Sequence, residues 1–314
     1  MSNSFHINGT EIKPGEHKKI ALQVSSLPSG TPIDIHAFVW RSPKPGPTIL
    51  VSGGVHGDEI NGVEIVRRSM AEGLFKDLKC GSVIAVPLLN VYGFINFSRD
   101  VPDGKDVNRS FPGFATGSLA SRVAYVMSQD ILPLIDFGLD FHTGGQSHYN
   151  YPQIRYSKGD AEAKKLAEQF SGLCLIEKKA FPSTMRHHAM EKGKPILVYE
   201  GGENLRLDQF SIDEGLAGIK RVLAAKGMAD FAISDSENTL RFTGTKWLRS
   251  PRAGIFRWIS SSGKQVKKGQ KIGVINDPYG QEETEVLANK TGFIIGHNNS
   301  PVVSQGDALF HIAW

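Results

Sequence analysis

Two histidines and a glutamate stand where this chain could hold a hydrolytic metal. His56 and Glu59 occur in Ser52-Gly53-Gly54-Val55-His56-Gly57-Asp58-Glu59, directly after the apolar run Thr48-Ile49-Leu50-Val51. His142 follows a second apolar run in Leu139-Asp140-Phe141-His142-Thr143. Two imidazoles and one carboxylate are the usual protein share of a catalytic zinc site, and they leave one coordination position open for water. These residue types therefore point to hydrolysis by metal-activated water. A plainer reading of H-x-x-E has His56 capping the next helix and Glu59 favouring its first turn. Placement at the C-terminal end of a buried strand favours the metal, because open α/β sheets bind ligands there. Glycines at 53, 54 and 57 allow a tight corner at that point.

Three further groups add polar chemistry. Arg99 and Arg109 fall in loop sequence after another buried strand, the second within Asp106-Val107-Asn108-Arg109. A guanidinium can hold a carboxylate through two parallel hydrogen bonds, or stabilise an oxyanion. Glu200, in Tyr199-Glu200-Gly201-Gly202-Glu203, is an acid at a strand end and suits a general base. The ordinary alternatives are a solvated loop arginine and a loop acid. Arg186 lies ahead of the Glu200 strand, next to His187 and His188. Those two histidines read as loop or pocket-wall residues, and His148 and Tyr149 carry no assigned role.

The elements that must position these groups follow from periodicity. Residues 18–25 and 32–40 alternate apolar and polar positions, as an antiparallel pair joined by Leu27–Thr31. Thr48–Ser52, Ser82–Leu89, Phe137–Phe141 and Pro195–Tyr199 are continuous apolar runs, the signature of buried strands. Helical spacing appears over 59–72, 118–134, 160–170 and 212–226. Buried strands alternating with helices predict an α/β domain, a mixed sheet with helices on both faces.

After about residue 230 the pattern changes to short apolar runs with frequent glycine. Pro251–Ile272 and Asn289–Leu309 form a rough internal echo, and two such halves predict a small flattened all-β barrel or sandwich. The polar stretch Ser234–Asn238 reads as a linker. The expected division is a catalytic domain over 1–235 and a C-terminal β-domain over 236–314.

Composition narrows the function. A 314-residue chain with 40% hydrophobic and 22% charged residues is ordinary for a globular protein. The net charge of +4 comes without a dense basic run, so no nucleic-acid footprint is expected, though mild positive charge suits small anionic substrates. No apolar run approaches the ~20 residues that cross a bilayer. Two cysteines, Cys80 and Cys174, and a start lacking a basic, apolar leader predict a cytoplasmic protein with free thiols. A homo-oligomer stays open.

The ordered set His56-x-x-Glu59, Asp106-x-Asn108-Arg109, His142 and Glu200 resembles the zinc carboxypeptidase superfamily. Within it, the Gly-Gly-Val-His-Gly-Asp-Glu run, the short catalytic domain and the β-rich C-terminus are similar to the succinylglutamate desuccinylase/aspartoacylase family. The resemblance covers nearly the whole chain. It implies a zinc-carboxypeptidase-like fold and one zinc ion per chain, bound by His56, Glu59 and His142. It implies that Asp106 fixes the tautomer of His56, that Arg99 stabilises the oxyanion, and that Asn108 and Arg109 hold the substrate carboxylate. Arg186 would read the substrate's acidic end, and Glu200 would move the proton. The C-terminal repeat also resembles biotinyl/lipoyl-type domains, but its turn Asn276–Gln281 carries no lysine, which argues for a structural or gating role.

The function expected is a zinc-dependent deacylase cleaving the amide of a small N-acyl amino acid or related compound. A metallocarboxypeptidase acting on short peptides is the second reading. A non-catalytic metal-bearing binding protein is the third, and it gives Glu200 nothing to do.

Overall fold

The computed structural model describes residues 5–232 and 239–314. The chain begins with a small hairpin, β1 (Phe5–Ile7) and β2 (Thr10–Ile12), ahead of the long antiparallel pair β3 (His17–Ser26) and β4 (Pro32–Arg41). Both long strands bury every second residue, as their alternating sequence predicts. Next come β5 (Thr48–Gly53), α1 (Ile60–Ala71), β6 (Ser82–Val86), α2 (Val91–Ile95) and α3 (Leu119–Val126). Then follow β7 (Phe137–Gly144), β8 (His148–Ser157), α4 (Ala161–Phe170), β9 (Cys174–Lys178), α5 (Met185–Glu191), β10 (Ile196–Glu203) and α6 (Gln209–Ala225).

These strands make one mixed sheet in the order β3-β4-β6-β5-β7-β10-β8-β9. The central pairs β5·β6, β5·β7 and β7·β10 are parallel, so the ends of β5, β7 and β10 open at one edge. Alternate residues of the buried strands feed two separate cores. Ile49, Val51, Leu139, Phe141 and Leu197 pack under Ile65, Phe170, Leu216 and Ile219 of α1, α4 and α6. Leu50, Ile84, Val86 and Ile196 pack on the other face with Val123 and Ala124 of α3 and Met185 and Ala189 of α5. That two-sided burial is why the runs read as continuously apolar.

The helix expected over 118–134 is only partly regular. It relaxes into a wider π turn at 127–131 and a 3-10 turn at 132–134, where Pro133 can donate no backbone hydrogen bond. Two strands not expected from the sequence, β8 and β9, extend the sheet. The stretch around His187 and His188 is the helix α5 and not a loop, with Thr184 Oγ1 accepting from the His187 backbone N–H at 3.2 Å.

Strands β11 (Leu240–Phe242), β12 (Thr245–Arg249), β13 (Gly254–Trp258), β14 (Gln265–Val266), β15 (Lys271–Asn276), β16 (Glu283–Leu287), β17 (Gly292–Asn298), β18 (Val302–Val303) and β19 (Ala308–Ala313) complete the chain. β13, β15, β16 and β18 form a separate four-stranded sheet. It packs on β17 and β19, with Phe256, Ile275 and Val286 against Ile294, Phe310 and Ile312, a two-layer β-sandwich. β12, β19 and β17 continue the main sheet, because β17 pairs antiparallel with β8 through Gly296–Asn150, His297–Tyr149 and Asn298–His148. The expected linker Ser234–Asn238, with the boundary at 235, lies outside the described residues. In the turn after β15 the Asp277 carboxylate accepts from the backbone N–H groups of Tyr279, Gln281 and Glu282, and Lys290 lies 3.5 Å over the Trp314 ring.

Candidate active site

The corner after β5 carries His56 and Glu59 into the open edge of the sheet. It is tight because two backbones come close. A Cβ on Gly57 would lie 2.0 Å from the Gly93 carbonyl carbon, and one on Gly62 would lie 2.2 Å from the Phe141 carbonyl oxygen. Glu59 occupies the N-cap position of α1 but makes no side-chain cap, so its carboxylate is left for other work. His142 arrives on β7, whose alternation places Asp140 and His142 on the same face.

His56, Glu59 and His142 converge: one ligand atom from each lies within 4.8 Å of the other two. All three are buried, with relative exposures of 3%, 2% and 3%. The Glu59 carboxylate bridges the two imidazoles, 2.7 Å from His56 Nδ1 and 2.9 Å from His142 Nδ1. Each ring turns its other nitrogen to a second acid: His56 Nε2 lies 3.2 Å from Asp106 Oδ1, and His142 Nε2 lies 2.7 Å from Asp140 Oδ2. Ser52 Oγ donates to Asp140 Oδ1 at 2.9 Å and fixes that acid in turn. Paired acids behind imidazoles are the usual support of a metal centre, since they set which nitrogen faces the ion. The donor set therefore suits a divalent metal of the zinc type.

The charges of the cluster reinforce one another. Burial works against ionised Glu59, but the two histidines beside it hold its carboxyl well below the usual range. Burial also works against protonated His142, yet Asp140 and Glu59 raise it well above an ordinary histidine. Arg99 closes the group. Its guanidinium donates to Asp106 Oδ2 at 2.9 Å and to Glu59 Oε1 at 3.2 Å.

The centre forms one part of the wall of a cavity of about 710 Å³. Glu200 also lines it, one strand from His142, with which it pairs in the β7·β10 register. Arg155 of β8 donates to Glu200 Oε1 at 2.8 Å, and Asn150 Nδ2 donates to Oε2 at 2.8 Å. Asn108, Arg109 and Arg186 line the same cavity. Arg109 lies 5.9 Å over the Phe181 ring, and Asn108 Oδ1 accepts from the Met185 backbone at 3.0 Å. Arg186 is buried. One terminal nitrogen donates to the Lys179 carbonyl at 3.3 Å, and the other has no hydrogen-bond partner among the described residues. Burial, then repulsion from Arg155, lowers its pKa to about 10 despite Glu200 and Asp140 nearby. β12 and β19 supply Thr245, Lys246, Trp247, Arg249 and His311 as a further part of the wall.

Residues 45–226 match the succinylglutamate desuccinylase/aspartoacylase catalytic domain. The chain belongs to this family. It is 26% identical over 286 residues to the N-alpha-acetyl-L-2,4-diaminobutyric acid deacetylase of Halomonas elongata, covering 85% of this chain and 82% of that one. It resembles the crystal structure of a succinylglutamate desuccinylase/aspartoacylase from Rhodobacter sphaeroides at a TM-score of 0.85 and 25% identity, covering 95% of both chains. The fold also matches the product-bound ectoine utilization protein EutE (DoeB) of Ruegeria pomeroyi, at a TM-score of 0.84 and 24% identity over 95% of this chain and 94% of that one.

In this desuccinylase/aspartoacylase family member, the nine residues singled out from sequence all fall at or next to one cavity. Asp106 alone stands behind the wall, bonded to His56 and Arg99. Sequence reasoning missed Asp140, Asn150, Arg155, Lys178 and His311. Asp140 had a readable signal, because residues two apart on a strand share a face and Asp140 precedes His142 by two. Arg155 and Lys178 had none, since neither β8 nor β9 was expected. His148 lines the cavity, whereas Tyr149, His187 and His188 do not.

Proposed function

We propose that this chain is a zinc-dependent deacylase that hydrolyses the amide bond of a small N-acyl amino acid or related N-acyl compound. One observation carries the reading: a buried two-histidine, one-carboxylate cluster shares a single cavity with Glu200 and with arginines suited to a carboxylate. His56 Nδ1, Glu59 and His142 Nδ1 would hold one zinc ion. When bound there, zinc supplies Lewis acidity and makes water available as a nucleophile at neutral pH.

The chain's own side chains do the rest. Asp106 and Asp140 accept from the outer ring nitrogens and so keep both Nδ1 atoms turned inward. Arg109 and Asn108 grip the substrate carboxylate and fix the scissile amide, and Arg186 offers its unpaired N–H to an acidic group. Arg99, anchored by Asp106, presents N–H groups where negative charge develops on the carbonyl oxygen. Glu200, aimed by Arg155 and Asn150, accepts a proton from the attacking water. It delivers that proton to the amine nitrogen as the C–N bond breaks, leaving a carboxylate and a free amine.

The named activity of the Halomonas relative, removal of acetyl from an N-acetylated amino acid, supports this class of reaction. The walls contributed by β12 and β19 favour a small substrate over a long peptide. A panel of N-acyl amino acids and short peptides, offered to zinc-loaded protein and read by release of free amine, tests the proposal. Cleavage of the acyl amino acids is expected. Cleavage of peptides alone would replace this reading with the carboxypeptidase one.

A further inference from the structure

Glu200 is the last residue of β10 before its pairing becomes irregular. It lies opposite His142 of β7 and Gln153 of β8, and just beyond it the register slips on both sides. Gly202 stands there at φ +80°. A bulge of this kind re-aims a strand beside a site, but it gives up ladder hydrogen bonds that would hold the chain. The two side chains bonded to the Glu200 carboxylate, Arg155 and Asn150, both come from β8. They orient that carboxylate from one flank and do not tie it to the corner that carries His56 and Glu59.

Two asparagines make that tie, and they reach in opposite directions. Asn61, in the first turn of α1 and two residues after Glu59, is fully buried. Its Nδ2 donates to the Gly201 carbonyl at 3.2 Å, and its Oδ1 accepts from the Asp208 backbone N–H at 2.9 Å. One amide thus holds both ends of the stretch 201–208. The fit is close, because a Cβ on Gly202 would lie 2.2 Å from Asn61 Nδ2. Asn204 answers from the other side. Its Nδ2 donates to Asp58 Oδ2 at 2.9 Å, and its Oδ1 accepts from the Ser147 backbone N–H at 3.3 Å. Its own backbone N–H donates to the Gly144 carbonyl at 2.8 Å. Asp58 directly precedes Glu59, and 144–147 is the turn that follows His142. Leu205 then donates its N–H to the Asp58 carbonyl at 2.8 Å, from a left-handed φ of +56° that leucine seldom adopts. Strained backbone held by its surroundings clusters at functional sites.

We infer that Asn61 and Asn204 are positioning residues, a reciprocal clasp that locks the Glu200 strand to the His56–Glu59 corner and so sets the proton-transfer carboxylate against the metal cluster. The inference rests on the deacylase reading and deepens it by naming what holds its two halves in register. Neither asparagine lines the cavity, so neither acts on substrate directly. Each amide has a donor partner and an acceptor partner, which fixes which way it faces. The chemistry is sensitive to such support, since a misplacement of about 1 Å can cost about 10²-fold in rate.

An exchange of partners tests the clasp. Asn204→Asp sets a carboxylate oxygen against Asp58 and keeps the acceptor for Ser147. On the N-acyl amino acid that zinc-loaded protein cleaves fastest, kcat should fall about 10–100-fold with KM unchanged and zinc still stoichiometric. Adding Asp58→Asn returns an N–H to the pair, donated in the reverse direction, and should recover most of the lost kcat. Asn61→Asp keeps the acceptor for Asp208 and loses only the bond to Gly201, so it should repeat the kcat loss. If that buried variant does not fold, the Asn204 pair decides. Crystal structures of the wild-type, Asn204→Asp and double-variant proteins supply a readout independent of turnover. The Glu200 carboxylate should shift by about 1 Å relative to His56, Glu59 and His142 in the single variant and return in the double one. A lowered melting temperature with kcat unchanged would make the asparagines structural only and overturn the inference. So would a kcat loss that the double variant does not recover, or a Glu200 that stays in place. If the wild-type protein cleaves no acyl amino acid, the deacylase reading fails, and the crystal structures alone decide the clasp.

Discussion

The two ends of the cavity are built on opposite electrostatic plans. At the His56–Glu59–His142 end every charged group meets an opposite one, and each imidazole is held at both nitrogens. At the Arg186–Lys178 end neither cation makes an ion pair among the described residues, and an Arg186 nitrogen and a His311 nitrogen are buried there without a hydrogen-bond partner among those residues. The first end is organised before anything binds, which suits a centre whose ligand geometry must not reorganise during reaction. The second end is left incomplete, with buried polar atoms that have no hydrogen-bond partner among the described residues.

The contrast can be broken at several points. The largest effect belongs to the organised end. His142→Ala removes one of the three proposed metal ligands, so metal content measured after dialysis should fall to background together with amine release. Glu200→Gln keeps the shape and the contact with Asn150 but cannot take a proton. Turnover should fall about 10²–10⁴-fold while bound zinc, measured by atomic emission, stays stoichiometric. Substantial residual turnover would discard Glu200 as the base.

Asp140→Asn leaves every proposed ligand in place and alters only the support behind His142. Metal affinity, measured by chelator competition, should drop about 10–100-fold. Asp106→Asn should cost less, because its contact with His56 is longer, 3.2 Å against 2.7 Å. The smallest effect, and the one of opposite sign, belongs to the incomplete end. Arg186→Met removes a buried unpaired guanidinium, so the free energy of unfolding should rise by about 1 kcal/mol while KM for acidic substrates increases. Loss of stability in that variant would show that Arg186 is a structural cation, and the contrast between the two ends would fail.

The residues differ in how far they could be read in advance. His56 and Glu59 sit three apart at the end of a run buried on both faces, a pattern that needs only local sequence. His142 and Glu200 were legible for the same reason, as polar residues where an apolar run stops. Arg155 lies on β8, whose sequence His148–Ser157 mixes aromatic, polar and proline residues because one face lines a polar cavity. Such a strand loses the alternation that marks half-buried strands. Lys178 is further removed, since its place depends on β9 pairing parallel with β8 and on Thr245 reaching it from 67 residues away.

By itself the amino-acid order determined the strand–helix alternation, the metal-type ligands and their family likeness, because periodicity and short motifs are local properties of the chain. Tertiary structure alone decided that the C-terminal strands continue the main sheet through β17 and β8, and that Trp247 and His311 line the same cavity as the His56–Glu59–His142 cluster. The physical reason is that strand pairing and charge matching are set by partners distant in sequence. Whether a lysine or arginine is neutralised or left waiting depends on which carboxylates the fold brings within reach.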